Sequence, residues 1–353
     1  NAIHSLWFFK EDYPELHVIA AGSLLEFALK NLSSFGVGRV SSLFVYPMSF
    51  DEFLTATRQE GLLRIKRNSS PTNPLPEAFY NRLVEAFRSY MLVGGMPEAV
   101  ATYTETGSYR YSSDIVNEII QGYQDDFAKY GAKANPLLLR QTLISVAHQA
   151  GAKFVCSRVE GQYRSAEVKV ALEMLKDAGL IIPTYHTDAN GVPLGAEINE
   201  RVVKYLIHDT GVLLGILGID DDIDERIKEM MVADSIDLVD KGHVAEMMAG
   251  LELIKYSSPQ KRHQLYYWQN MNKGTCAEVD YVIARSGSIV PIEVKSGVKG
   301  SMSSMYSLMR NLQKHIEMGI RCSLENFGTF ASPDGKKIDI IPLYAISNLF
   351  AEK

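Results

Sequence analysis

The sequence predicts an α/β protein made of several domains. Its 353 residues are too many for one compact core, and a chain of this length is expected to form two to four domains. Apolar runs of strand length, such as LHVIAAGS at 16–23, are followed by stretches with helical apolar spacing, such as 78–130. A proline-rich segment, SSPTNPLPE at 69–77, separates these two regions. Together these observations predict an α/β multidomain chain.

Residues 1–68 are interpreted as the latter half of a domain built on a sheet. LHVIAAGS is predicted to be a buried parallel strand, because it is apolar and ends in a turn of small residues. LFVYPMSF at 43–50 is a second strand-like run, and DEFL at 51–54 begins a short helix. No helix-start signal precedes HSLWFF at 4–9, so we expect the chain to be the C-terminal part of a longer protein.

The middle of the chain is predicted to hold two helical units. Residues 76–134 have helical apolar spacing, interrupted by GGMP. Residues 135–200 have the order helix, turn, helix and β-hairpin, which is that of a winged helix. The second of those helices carries two lysines against three acids, so a structural adaptor is favoured over a DNA-reading role. Residues 201–241 are predicted to connect this unit, through a strand and helices, to the last domain.

Charge and cysteine usage narrow the class of protein. The net charge is −6, and residues 242–353 hold 13 of the 36 basic and 10 of the 42 acidic residues. Only this last third therefore leans basic, and nucleic acid is expected to bind there if it binds at all. No apolar run reaches the roughly 18 residues of a membrane span. Three cysteines without CxxC spacing indicate reduced thiols. We expect a cytoplasmic protein without a membrane partner.

Acids interrupt two apolar runs of the last domain, residues 242–353. The first run, VDYVI, contains Asp280, and the second, IVPIEV, contains Glu293 two residues before Lys295. Two antiparallel strands joined by a turn at 285–288 would bring Asp280 beside Glu293. Spacing of two along a strand places Glu293 and Lys295 on one face. The sequence therefore predicts that these three side chains converge.

Two further acids are candidates for the same place. Glu246, in the predicted helix before the strands, could reach it, and Glu278, which shares a strand face with Asp280, is a weaker candidate. Phosphodiester cleavage needs a hard cation on carboxylates and a nearby lysine that orients water or stabilises the developing charge. Mg²⁺ or Mn²⁺ held by Asp280, Glu293 and Glu246, with Lys295 beside it, would meet that need. A solvated hairpin with ordinary charges is the alternative.

The helix, acidic strands and following helix form the arrangement of the restriction-endonuclease-like, or PD-(D/E)xK, fold. The whole chain resembles a family of prokaryotic AAA+-like P-loop ATPases that end in such a domain. The resemblance is carried, in order, by HVIAAGS, GRVSSLFVYPMSFDEFL, YMLVGGMPEAV and EVDYVI…IEVKSG. It implies a partial AAA+ α/β core over 1–68, a helical lid over 76–134, a winged helix, and a restriction-endonuclease-like domain over 242–353.

The resemblance also implies roles at a nucleotide site. Ser23 would stand near the terminal phosphate of ATP, with an ordinary strand-end cap as the alternative, and Arg39 would contact phosphate or a neighbouring subunit of a homo-oligomer. The chain departs from the family because it contains neither GxxxxGK[ST] nor the acidic Walker B strand. We expect both to lie upstream of Asn1, so that ATP with Mg²⁺ binds only to the longer protein.

Three functions follow from the sequence. The first is the C-terminal portion of a cytoplasmic AAA+-like ATP-binding protein, an ATPase coupled to a nuclease-like domain. The second is a DNA endonuclease that depends on Mg²⁺ or Mn²⁺ and uses Asp280, Glu293 and Lys295. The third is a non-catalytic module that binds protein or nucleic acid. The sequence leaves the three open, because a fold does not fix a function.

Overall fold

The computed structural model contains helices and two mixed sheets, which confirms the α/β class. It describes these stretches of the chain: 8–9, 11–22, 41–128, 135–218, 241–270, 277–297, 300–311 and 316–350. Among them, no helix combines the length and the apolarity needed to cross a membrane.

Helices fill the first half of the described chain, and strands dominate the second. The α-helices are α1 (Phe50–Ala56), α2 (Glu60–Arg67), α3 (Glu77–Val93), α4 (Pro97–Thr106), α5 (Tyr109–Phe127), α6 (Pro136–His148), α7 (Ser165–Asp177), α8 (Thr210–Ile216), α9 (Lys241–Lys255) and α10 (Ser303–Arg310). The strands are β1 (Ile181–Thr187), β2 (Ile198–Ile207), β3 (Leu265–Gln269), β4 (Glu278–Val279), β5 (Tyr281–Arg285), β6 (Ser288–Val294), β7 (Met318–Ser323), β8 (Gly328–Ala331) and β9 (Lys337–Pro342).

One extended segment links the two sheets. The first sheet has the order β2-β1-β3-β4, with β1 antiparallel to β2 and parallel to β3. The second has the order β5-β6-β7-β9-β8, in which β6, β7 and β9 are parallel and both edge strands are antiparallel. β4 ends at Val279 in the first sheet and β5 begins at Tyr281 in the second. Asp280 therefore lies where the chain changes sheets.

The predicted strands of the N-terminal region are absent from the described residues. Residues 16–22 are outside any helix or strand, and Ile19 is 96% exposed, so the prediction of a buried strand is wrong for them. A parallel strand needs neighbouring strands on its edges, and no described strand pairs with this run. Residues 43–49 are also irregular, because Phe44 N donates to Pro259 O and Met48 N to Gly95 O instead of to a strand.

The short helix predicted at DEFL is confirmed as α1. Its first turn is closed by a capping box, in which the Ser49 and Glu52 side chains each accept from the backbone N–H of the other residue. Phe50 is fully buried, and its ring lies 5.2 Å from that of Phe87 and 5.6 Å from that of Tyr90, both on α3. Aromatic packing therefore fixes α1 against the helical block.

Residues 136–207 have the predicted order of two helices and a hairpin. Val168, Leu172 and Leu175 of α7 are buried on one side of that helix, as their spacing predicts. The hairpin of β1 and β2 does not end the sheet, because β1 also pairs with β3. This unit and the last domain therefore share one sheet, which the sequence did not predict.

The GGMP motif forms a close junction between three segments. Gly95 N donates to Asp209 Oδ2 over 2.6 Å, and Met48 N donates to Gly95 O over 2.7 Å. Gly94 has φ 78°, which favours glycine. A Cβ on Gly95 would lie 2.3 Å from Met48 O, and one on Gly94 would lie 2.2 Å from Asp209 Oδ1. Glycine is needed here because backbone and a carboxylate approach too closely for any side chain.

Replacing Gly95 with alanine is expected to lower the free energy of unfolding by about 1–3 kcal/mol, because the added methyl group meets backbone that must shift. The measurement is urea unfolding. Gly122→Ala is the matched control, since a Cβ there meets nothing within 4 Å in the exposed middle of α5. It should raise stability by up to about 1 kcal/mol. Equal effects of the two substitutions would contradict the junction.

Candidate functional site

Four carboxylates converge where α9, β4, β5 and β6 meet. We call them the acid cluster: Glu246, Glu278, Asp280 and Glu293. Glu246 comes from α9, a helix with buried residues on nearly all sides that packs against both β2 and β6. The other three come from the segment that changes sheets and from β6. The cluster therefore forms at the seam between the two sheets.

Strand register places Asp280 opposite Glu293. Tyr281, the first residue of β5, pairs with Ile292 across the antiparallel β5–β6 ladder, and extending this register by one position sets Asp280, just before β5, against Glu293 of β6. Directly opposite residues of such a ladder project to the same face. Asp280 is fixed further by Val294 N, which donates to Asp280 Oδ2 over 2.7 Å. The convergence of these two acids therefore follows from the hairpin that the sequence predicted.

Lys295 completes this side of the site. Its Nζ lies 2.7 Å from Glu293 Oε1, and about one-fifth of its side chain is exposed. Its backbone N–H donates to Cys322 O of β7 over 2.8 Å, which continues the sheet by one residue. The ammonium is thus held next to the acids but keeps access to solvent.

A second lysine, which sequence reasoning missed, enters the cluster from β2. The Nζ of Lys204 lies 2.8 Å from Glu246 Oε1 and 2.5 Å from Glu278 Oε1. It also lies 5.0 Å from the ring centroid of Tyr267 on β3. Lys204 is only 1% exposed. The available signal was a lysine inside an apolar strand, VVKYLI, where an ordinary charge is not expected.

Burial and mutual repulsion make three members of the acid cluster, Glu246, Asp280 and Glu293, hold protons unusually tightly. Burial, together with the charge of Asp280, raises the pKa of Glu246 to about 8, although Lys204 favours its ionised form. Burial and Asp280 likewise raise the pKa of Glu293 to about 7, against Lys295. Burial also raises the pKa of Asp280, against the hydrogen bond from Val294 N. Such shifts mark carboxylates whose negative charge is not fully compensated.

The carboxylates of the cluster favour the charged form of Lys204. Burial alone would lower the pKa of its ammonium, but the carboxylates of Glu246 and Glu278 raise it above its ordinary value. Lys204 therefore stays charged throughout the physiological range. The acid cluster therefore always has this positive charge next to it.

Arg321 supports the site from β7. Its position pairs with Glu293 across the parallel β6–β7 ladder. The guanidinium donates to Glu325 Oε2 over 2.6 Å and to Gly297 O over 3.2 Å, and the residue is 5% exposed. Because Gly297 follows Lys295 by two residues, Arg321 restrains the segment that carries the lysine. The sequence offered no pattern that singled out this arginine.

The oxygens of Asp280 and Glu293 fit a hard cation. Glu293 Oε2 is buried without a hydrogen-bond partner, so one oxygen of the site is left to be satisfied. Nowhere in the described stretches are three His, Cys, Asp or Glu side chains placed so that they could hold a metal ion. Mg²⁺ keeps several waters and is commonly bound through one or two carboxylates plus substrate phosphates. Two carboxylates therefore meet its needs.

The two residues assigned to a nucleotide site lie outside the described residues. Ser23 and Arg39 both belong to the stretch 23–40. Their assignment stays a prediction from the resemblance.

Two family descriptions match consecutive parts of the chain. Residues 84–223 match Domain of unknown function (DUF8612), and residues 241–346 match Domain of unknown function (DUF4143). The second contains the whole acid cluster and Lys295, whereas Lys204 lies in the first. No curated protein and no solved structure matches the chain significantly. The site is therefore built from both matched regions.

Proposed function

We propose that the chain is the C-terminal part of an AAA+-like ATPase and that its last domain contains a metal-dependent, nuclease-like site. The observation that supports the site is the convergence of Asp280, Glu293 and Lys295 at one end of the β5–β6 hairpin. Carboxylates paired with an accessible lysine are the side chains that phosphodiester hydrolysis needs. Nucleic acid bound through this domain is the proposed substrate class.

Each residue of the proposed site has a separate task. Asp280 and Glu293 would hold the divalent cation, which when bound polarises the phosphate and lowers the pKa of its water. Val294 N holds the Asp280 carboxylate in place through its 2.7 Å hydrogen bond. Lys295, which remains partly exposed, presents its ammonium to the attacking water and to the negative charge that develops on phosphate.

The ATPase part of the proposal is supported by the match over residues 241–346, since that domain is often found in AAA-ATPase-like proteins. The sequence motifs that resemble the family point the same way. ATP and Mg²⁺ would bind to a phosphate-binding loop preceding the present sequence. The test is nucleotide binding by a longer form of the protein. An upstream reading frame without GxxxxGK[ST] would overturn this part.

Asp280→Ala is expected to weaken Mn²⁺ binding at least about tenfold, because it removes one of two proposed oxygen ligands. The measurement is calorimetric titration with Mn²⁺, repeated once with duplex DNA, together with a DNA cleavage assay. Asp334→Ala is the matched control, since Asp334 is an exposed acid of the same domain that pairs with Arg310. It should bind Mn²⁺ as the unaltered protein does.

Two results would contradict the nuclease-like site. Equal Mn²⁺ binding by Asp280→Ala and the unaltered protein would place the metal elsewhere. Silence of the folded, unaltered protein with and without DNA would leave the non-catalytic binding module as the function of this domain. Neither result bears on the ATPase part, which depends on the upstream sequence.

A further inference from the structure

We propose that Lys204 is a fixed counter-cation which restricts the acid cluster to a single divalent ion, held by Asp280 and Glu293. This inference rests on the proposed metal-dependent function and adds the metal stoichiometry of the site. It also assigns Glu246 and Glu278 to Lys204 instead of to metal. The residue that sets the stoichiometry comes from the region before the nuclease-like domain, through the shared sheet.

The position of the ammonium carries the argument. Lys204 Nζ bridges one oxygen of Glu246, from α9, and one oxygen of Glu278, from β4, at 2.8 and 2.5 Å. The ammonium thus contacts both acids at once, as a bridging cation would. The Tyr267 ring, 5.0 Å from Nζ, closes another side. A divalent ion bound between Glu246 and Glu278 would have to displace this ammonium.

The backbone holds Lys204 at this point. Its residue pairs with Thr184 of β1 and with Lys153, so β2 is hydrogen-bonded on both edges where the side chain departs. The side chain therefore leaves from a point of the edge strand β2 where the backbone is paired on both sides. Lys295, by comparison, is partly exposed and forms its ion pair with Glu293.

Charge counting gives the same stoichiometry. Above about pH 8, where Glu246 and Glu293 have released their protons, the four carboxylates of the acid cluster carry four negative charges, and Lys204 and Lys295 carry two positive charges. The remainder is two negative charges, which one divalent ion neutralises. A second divalent ion would leave the buried cluster positive and next to an ammonium, which low-dielectric surroundings make unfavourable.

The test is the number of Mn²⁺ ions bound, measured by calorimetry and by electron paramagnetic resonance on the folded protein. The unaltered protein is expected to bind one ion. Lys204→Gln and Lys204→Met should each bind two, because the place between Glu246 and Glu278 becomes open. Two variants are used so that the test remains valid if one of them does not fold. Glutamine keeps a hydrogen-bond donor in the buried site, and methionine does not. Circular dichroism establishes which variants fold.

Lys295→Gln is the matched control. It removes the same single charge from the same cluster, but it does not open the place between Glu246 and Glu278. It should still bind one ion. A second ion in both Lys204→Gln and Lys295→Gln would overturn the positional argument, since net charge alone would then set the number.

The remaining outcomes separate this inference from the proposed function. One ion in the unaltered protein and also one in the Lys204 variants would overturn the counter-cation and leave the metal site intact. No ion in the unaltered protein, but one in Lys204→Gln, would overturn both the single-ion stoichiometry and the proposed function, because Lys204 would then exclude metal altogether. No ion in any variant would overturn both as well.

Discussion

Replacing Asp51 with alanine is expected to lower the free energy of unfolding by about 3–5 kcal/mol, because it leaves a buried lysine without its carboxylate partner. Lys66 of α2 is fully buried, and its ammonium pairs with the Asp51 carboxylate and with Ser347 Oγ at 2.6 Å. Burial lowers the pKa of Lys66, so its charge depends on Asp51. This contact ties α1 and α2 to the 3-10 helix at Leu343–Leu349.

Urea unfolding of Asp51→Ala, followed by circular dichroism, measures this loss. The matched control is Arg67→Ala, because Arg67 contacts the other oxygen of Asp51 at 3.1 Å but has a side chain that is 61% exposed. An exposed partner contributes at most about 1 kcal/mol. If Asp51→Ala also cost less than about 1 kcal/mol, Lys66 would not depend on its carboxylate.

Stability is expected to fall as the pH rises from about 4.5 to about 8, because of the acid cluster. Burial and Asp280 raise the pKa of Glu293 from 4.5 to about 7 and that of Glu246 from 4.5 to about 8. The folded protein therefore binds protons that the unfolded chain has already released. Unfolding then releases protons, so the free energy of unfolding decreases with pH across this window.

The expected loss is on the order of 8 kcal/mol, since the shifts of Glu293 and Glu246 together amount to about six pKa units and one unit corresponds to about 1.4 kcal/mol. Chemical unfolding at several pH values between 4 and 9 measures it, in comparison with the double variant Glu246→Gln/Glu293→Gln. The comparison is needed because burial lowers the pKa of His208, which makes stability rise with pH up to about 6.5 in both proteins. Parallel pH profiles of the two proteins would contradict the assignment to these carboxyls.

Local patterns were sufficient for much of the last domain. Alternating apolar and acidic residues in VDYVI and IVPIEV, with a turn between them, correspond to the β5–β6 hairpin. The opposition of Asp280 and Glu293 follows, because antiparallel register is set by the turn. The capped helix at DEFL is local in the same sense, since Ser49 and Glu52 are three residues apart.

The N-terminal strand predictions failed because strands are not local. LHVIAAGS has strand composition, but its edge groups need partners that no described strand supplies. The backbone of LFVYPMSF is irregular, because it forms hydrogen bonds with Gly95 and Pro259, which are remote in sequence, instead of with a strand. Composition cannot distinguish a strand from an irregular segment, because the same apolar run packs equally well as a strand or as a loop held by close contacts.

The sequence by itself determined the α/β class, the hairpin of the last domain and the meeting of Asp280, Glu293 and Lys295, because each depends on neighbours along the chain. Only the tertiary structure decided that Lys204 joins the acid cluster. Lys204 is 42 residues from Glu246. Because β1 pairs with both β2 and β3, β2 lies in the same sheet as the strands of the last domain. A contact across that much chain depends on sheet pairing and on compensation of buried charge, which no local pattern records.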